Sequence, residues 1–299
     1  MVLRLVSGIG ALLVLLGFGA ARAEDVQIRH QGLRLNGALE TPGGAVPADG
    51  LVLIAHGTLA HHRMEIVEVL QRQLKERGIA SLAISLSLGV DDRRGMYDCA
   101  VPHRHRYVDA LGEYAAWIAW AEGRGARRIV LAGHSRGGAQ IAWYAAERAD
   151  PRVSKVVLIA PTLWDGAQAA REFERAHARP LDEALAEARG RVEAGRGQDI
   201  LPRPGYLTCT DTRVSADTLW DYYRDEPRRD TVVLLPRIQP PVLVVAAGGD
   251  EVVTGLPERV RPLTGGGRVR LAVIDGADHF FRDLFADELA DAVDAFVKE

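Results

Sequence analysis

The pentapeptide Gly133-His134-Ser135-Arg136-Gly137 follows the apolar run 128–132 and opens the small-residue stretch Gly138-Ala139-Gln140-Ile141-Ala142. A strand, a tight turn and a helix in that order would hold the Ser135 hydroxyl clear of the backbone, with Gly133 and Gly137 relieving the crowding two residues to either side. The helix that follows would aim its first N–H groups and its dipole at the same point, where the oxyanion of an acyl transfer forms. A serine hydroxyl is protonated at neutral pH, so it needs a neutral imidazole as base, and the imidazole needs a buried carboxylate to fix its tautomer. His279, in the turn after the apolar run 269–274, supplies the first, and Asp250, just past the run 241–246, the second. In a parallel sheet both would arrive at the edge that carries Ser135. Other residues of the right type remain open: Glu251, Asp275 and Asp278 for the acid, and His56, His61, His62, His103, His105 and His134 for the base.

The elements that must position these residues alternate. Segments 26–30 and 33–39, joined by Gln31-Gly32, predict an opening hairpin, and 51–55 a strand covered on both faces. Helix 64–77 places Ile66, Val67, Leu70 and Leu74 on one side, with Gly78 as its cap. Strand 79–84, a loop over 85–106, helix 107–122, strand 128–132, a helix to about 149 and strand 155–160 follow. The rhythm breaks at Pro161 and resumes with strands 241–246 and 269–274 and a final helix 284–298. Strand and helix in alternation predict an α/β fold, a mostly parallel sheet with helices on both faces. The charged, mostly helical stretch 162–237 reads as a cap inserted before the last strands, with helices near 168–178, 182–193 and 216–223.

Arg4 leads an uncharged run over 5–21, and Ala21-Arg22-Ala23 ends it in the manner of a signal-peptidase site. Residues 1–23 are therefore read as a cleaved leader, with 24–161 and 238–299 as the core and no stable membrane anchor after cleavage. Loss of Arg4 and Arg22 moves the formal charge from −3 to −5, which does not suit a nucleic-acid partner. An exported chain, periplasmic or secreted, would hold its two cysteines in an oxidising compartment, so a Cys99–Cys209 disulfide is expected, with two separate thiols as the alternative. His61-His62 and His103-x-His105 lack a third ligand at diagnostic spacing, so no metal site is predicted, and these histidines are expected to be solvated or to face the cap. The cap arginines, interleaved with acidic residues, read as a solvated helix face.

Taken together, the four motifs resemble those of α/β-hydrolases of the serine esterase and lipase type, over nearly the whole mature chain apart from the cap. The resemblance maps the nucleophile elbow onto 133–137, the acid turn onto 247–253, the base turn onto 276–280 and the His-Gly oxyanion turn onto 56–58. It implies an oxyanion hole made by the backbone N–H groups of Thr58 and Arg136, with Leu59 as a further candidate. Ala247 and Asp278 stand where the family often has glycine. The expected function is hydrolysis of a small-molecule carboxylic ester through an acyl-enzyme on Ser135, without a cofactor. Thioester, lactone or peptide cleavage by the same residues, a metal-dependent hydrolase, and a non-catalytic binding protein on this fold are the alternatives.

Overall fold

The computed structural model describes residues 23–299. The leader read from the sequence falls on residues outside these, Ala23 apart. The chain opens with the hairpin β1 (Glu24–His30) and β2 (Leu33–Glu40). Its two-residue turn needs positive φ twice, and Gln31 and Gly32 supply 47° and 85°. β3 (Asp49–Ala55), β4 (Ser81–Ile84), β5 (Arg128–His134), β6 (Val153–Ile159), β9 (Val242–Ala247) and β10 (Val269–Ile274) complete an eight-stranded sheet ordered β1-β2-β4-β3-β5-β6-β9-β10. β1 and β2 pair antiparallel, as do β2 and β4, whereas every pairing from β4 to β10 is parallel.

Alternate side chains of the central strands feed two core layers, as the two-residue period of a strand requires. Leu51, Leu53 and Ala55 of β3 join Tyr114, Trp117 and Ile118 of α2 (Asp109–Gly123) and Ile141 of α3 (Arg136–Glu147) on one face. Val52 and Ile54 join Val67 and Leu70 of α1 (Glu65–Glu76) and Leu289 and Val293 of α9 (Leu284–Lys298) on the other. Both faces of the sheet are thus covered by helices. α1 ends as its sequence implies: the Gly78 N–H bonds Lys75 O and the Ile79 N–H bonds Leu74 O, with Gly78 at φ 81°. The chain leaves α2 through Gly125, at φ 105°, two residues past its last residue, Gly123.

Between β6 and β9 run α4 (Gly166–His177), α5 (Leu181–Glu193), the short ribbon β7 (Ile200–Pro202) and β8 (Arg213–Ser215), α6 (Ala216–Tyr223) and α7 (Thr231–Leu234), before α8 (Leu256–Val260) after β9. The ribbon has no sequence signal, since each strand is three residues long and β8 is held by the backbones of β7 and His103. This segment is tied to loop 85–106 by the Cys99–Cys209 disulfide, whose Cα atoms are 5.5 Å apart, and by backbone bonds joining His103 to Arg213 and Ser215. Among the described residues no helix is long and apolar enough to cross a membrane.

Candidate active site

Ser135 sits between β5 and α3 at φ 55° and ψ −123°, a conformation that costs an L-residue energy and persists only where its surroundings enforce it. Its N–H donates to Ile159 O at 2.8 Å, and its carbonyl accepts the Thr162 N–H at 3.2 Å. The glycines around it have no room for a side chain. A Cβ on Gly133 would lie 2.7 Å from the Gly137 carbonyl, one on Gly137 would collide with the His56 carbonyl oxygen, and one on Gly138 would lie 2.8 Å from Gly133 O. Gly138 is therefore as constrained as the two glycines of the pentapeptide. The pentapeptide pattern stops one residue short of it, although its closest contact, Gly133 O, belongs to the same turn, and the next, Pro161 Cβ at 3.0 Å, comes from just past the end of β6.

β5, β9 and β10 end at one edge of the sheet, and the turns after them bring Ser135, Asp250 and His279 into a hydrogen-bonded chain. His279 Nε2 lies 3.0 Å from Ser135 Oγ, and His279 Nδ1 lies 2.8 Å from Asp250 Oδ2. Ser135 and His279 are 6% and 5% exposed, so the relay is largely shielded from water. The second Asp250 oxygen accepts the Val252 and Val253 N–H groups, both at 2.8 Å. Burial pushes the Asp250 carboxyl upward, but the bond from His279 and the two backbone donors outweigh it and hold the group below the usual carboxylate range. The competing acids are used otherwise. Asp278 braces the base turn by accepting the Phe280 N–H and pairing with Arg282, while Glu251 and Asp275 face solvent.

Two glycines let the acid and base turns meet. The Gly249 N–H bonds Ala277 O at 2.8 Å, and a Cβ on Gly248 would lie 3.0 Å from the Asp275 Cα. The turn carrying Thr58 closes the site from the other side, since a Cβ on Gly57 would lie 3.3 Å from that of Ser135. Arg136 Nε donates to Thr58 Oγ1 at 3.0 Å, binding together the two residues whose N–H groups the resemblance singles out. Leu59, at φ 55°, turns the chain away and is buried.

His134, His56, His62 and His103 are fastened by hydrogen bonds rather than free. His134 Nε2 donates to the His279 carbonyl at 2.9 Å, bracing the base turn, and burial together with the neighbouring His279 lowers its pKa to about 4. His56 donates from Nδ1 to Gly57 O and accepts at Nε2 from the Leu86 N–H and from Arg93. Burial, with the Arg93 guanidinium beside it, keeps that ring neutral. Of the histidines expected to be solvated or to face the cap, His62, His103 and His105 are buried, and His103 does face residues 162–237, packing on Tyr206 and Tyr222. His62 bonds Ser85 Oγ, His103 Nε2 meets the Tyr206 hydroxyl at 2.9 Å, and His105 lies 3.4 Å from the buried Glu113 carboxylate. Among the described residues, no three His, Cys, Asp or Glu side chains are grouped to hold a metal ion.

Arg93 had no signal in the sequence, where it reads as one charge of an exposed loop. It is buried, donates to the carbonyls of Ala60, Leu86 and Gly95, and underpins the turn that carries Thr58.

A family model described as alpha/beta hydrolase family matches residues 51–292, most of the chain and all of this site. The chain belongs to that family. Solved structures of similar fold include Est1E from Butyrivibrio proteoclasticus, 20% identical, covering 93% of this chain and 98% of that one with a TM-score of 0.62. An E-2-(acetamidomethylene)succinate hydrolase is 19% identical, with 93% and 100% covered and a TM-score of 0.59. The esterase domain of a Rhodothermus marinus protein is 18% identical, with 93% and 98% covered and a TM-score of 0.59. At these identities the likeness is one of fold. No curated protein sequence matches this hydrolase significantly.

Proposed function

We propose that this hydrolase is an exported serine esterase that cleaves small carboxylic esters through an acyl-enzyme on Ser135. The observation that carries the reading is the unbroken relay from Asp250 through His279 to Ser135, at 2.8 and 3.0 Å. Ser135 Oγ attacks the ester carbonyl while His279 Nε2 takes its proton, and Asp250 holds the ring with Nδ1–H toward it and stabilises the imidazolium. The N–H groups of Thr58 and Arg136 receive the oxyanion, His279 returns the proton to the departing alcohol, and water attacks the acyl-enzyme by the same route in reverse. Residues 162–237 serve as the cap. Export is supported by the apolar leader with its small-residue end and by a structure that joins the two cysteines.

Labelling with a fluorophosphonate probe tests the nucleophile. One adduct per chain on Ser135, lost in Ser135→Ala together with turnover of a short 4-nitrophenyl ester, is the expected result. An unlabelled but folded protein would overturn the reading. A panel of esters, thioesters, lactones and peptides then tests the bond cleaved.

A further inference from the structure

The arginines of the elbow, of the loop before α2 and of segment 224–259 fall into two groups. Arg224 and Arg228 share the Glu226 carboxylate, Arg228 also meets Glu147, Arg259 pairs with Asp230, and Arg106 with Asp109. Arg136 and Arg229 have no carboxylate within 4 Å among the described residues. Arg136 follows Ser135 directly. It spends its Nε on Thr58 and lays its guanidinium over Tyr107 and Tyr222, 5.9 and 5.6 Å from the ring centroids. Arg229 is only 3% exposed, donates to the carbonyls of Arg224 and Asp221, and leaves its Nε without a partner. Its guanidinium stands 5.7 Å from the Tyr107 ring centroid, so two cations lie within 6 Å of that ring. The Tyr107 hydroxyl, itself buried, also has no partner.

A buried charge and orphaned buried donors are costly unless a partner completes them. The nearby carboxylates are otherwise engaged. Asp221 accepts the Val108 N–H and faces Arg224, Asp225 accepts from Trp164, and Asp230 is held by Arg259 and the Val232 N–H. Arg136 adjoins the reacting serine in the chain, and a short run of bonds links the Arg229 segment to it. The Ser135 carbonyl accepts the Thr162 N–H, and Thr162 in turn accepts from Thr231, two residues past Arg229. We propose that Arg136 and Arg229 form an anion subsite that selects esters carrying a carboxylate a few bonds from the scissile carbonyl, with the Tyr107 hydroxyl as a further donor. Burial lowers the Arg229 pKa only to about 10, which leaves it cationic at neutral pH. This inference rests on the ester-hydrolase reading, since it names the substrate class of that same site.

Two esters that differ only at the far end of the acyl chain, mono-4-nitrophenyl adipate and 4-nitrophenyl hexanoate, provide the test. The kcat/KM ratio is expected to favour the adipate by at least about tenfold at low salt, the scale of one charge-assisted hydrogen bond. In Arg136→Gln and Arg229→Gln the ratio is expected to fall toward one, and in Arg136→Lys to remain partly. A ratio of one or less in the natural chain, or one that Arg136→Gln leaves untouched, overturns the subsite. Should Arg229→Gln fail to fold, the Arg136 variants, at a partly exposed position, decide the matter alone. Calorimetric binding of adipate to Ser135→Ala, with 1,6-hexanediol as the uncharged control, separates the two claims. Ester turnover without adipate binding overturns the subsite and spares the esterase, whereas adipate binding by a chain that neither hydrolyses esters nor takes the fluorophosphonate does the reverse.

Discussion

At the scale of single residues, the relay depends on how Asp250 is held. Its two oxygens are divided, one to His279 and the other to the Val252 and Val253 N–H groups, so the carboxylate cannot rotate away from the ring. Asp250→Asn keeps the size of the side chain but offers Nδ1 an amide, which can select the wrong imidazole tautomer. It is expected to lower kcat on a 4-nitrophenyl ester by on the order of 10³–10⁴ with little change in KM. Steady-state kinetics at pH 7.5 check this, and a loss below tenfold would remove Asp250 from the relay. The three residues that meet here could be named from the chain because residue type limits role: few groups other than histidine can take a proton from serine near neutral pH. The choice among nine histidines was not so readable, since His134 and His279 differ in the partners that each meets rather than in any local pattern.

Among elements, the elbow sets sterics against helix propensity. Gly137 lies in the first turn of α3, where alanine is the better helix former by up to about 1 kcal/mol. A Cβ there would press on the His56 carbonyl, and overpacking of that kind costs about 1–3 kcal/mol. Gly137→Ala is therefore expected to lower stability in urea unfolding and to displace the turn that bears Thr58; a gain in stability would show that the crossing relaxes freely. The disulfide works at the same scale. It joins residues 110 positions apart and fastens loop 85–106 to the segment carrying α6. Replacing both cysteines by alanine is expected to cost about 2–4 kcal/mol in denaturant unfolding of the oxidised protein, and an unchanged midpoint would contradict the tether. The long strands and helices were legible from their periodicity. The β7–β8 ribbon and the Arg93 loop were not, because tertiary neighbours hold them and local propensity contributes little.

Across the whole molecule, buried neutral histidines couple stability to pH. Burial lowers His62 and His134 to about 4 and His103 to about 3, against about 6.5 in an unfolded chain. Between those values the unfolded chain binds more protons than the folded one, so stability falls as pH drops below about 6.5 and levels off only under the folded values. Each ring is worth up to about 2–3 kcal/mol by pH 4.5. The depressed carboxyl of Glu226, at about 2 chiefly through its bond to Arg228, acts in the same direction below the ordinary carboxylate range. Scanning calorimetry from pH 7 to 4.5 is expected to show a steep fall in Tm, with a shallower slope in His62→Gln. A Tm independent of pH over that range would mean that these rings are not held neutral.

The linear chain by itself determined the alternation of strand and helix, the strained serine turn and the order of the chemical groups. Each of these is encoded by local periodicity or by glycines at short spacing. Only the tertiary structure decided which histidine reaches the serine, why Gly248 and Gly249 have so little space beside the base turn, and which arginines lack a counter-charge. Those outcomes depend on distances between segments that only folding brings together, such as the 144 positions separating Ser135 from His279, and no local pattern along the chain can hold that information.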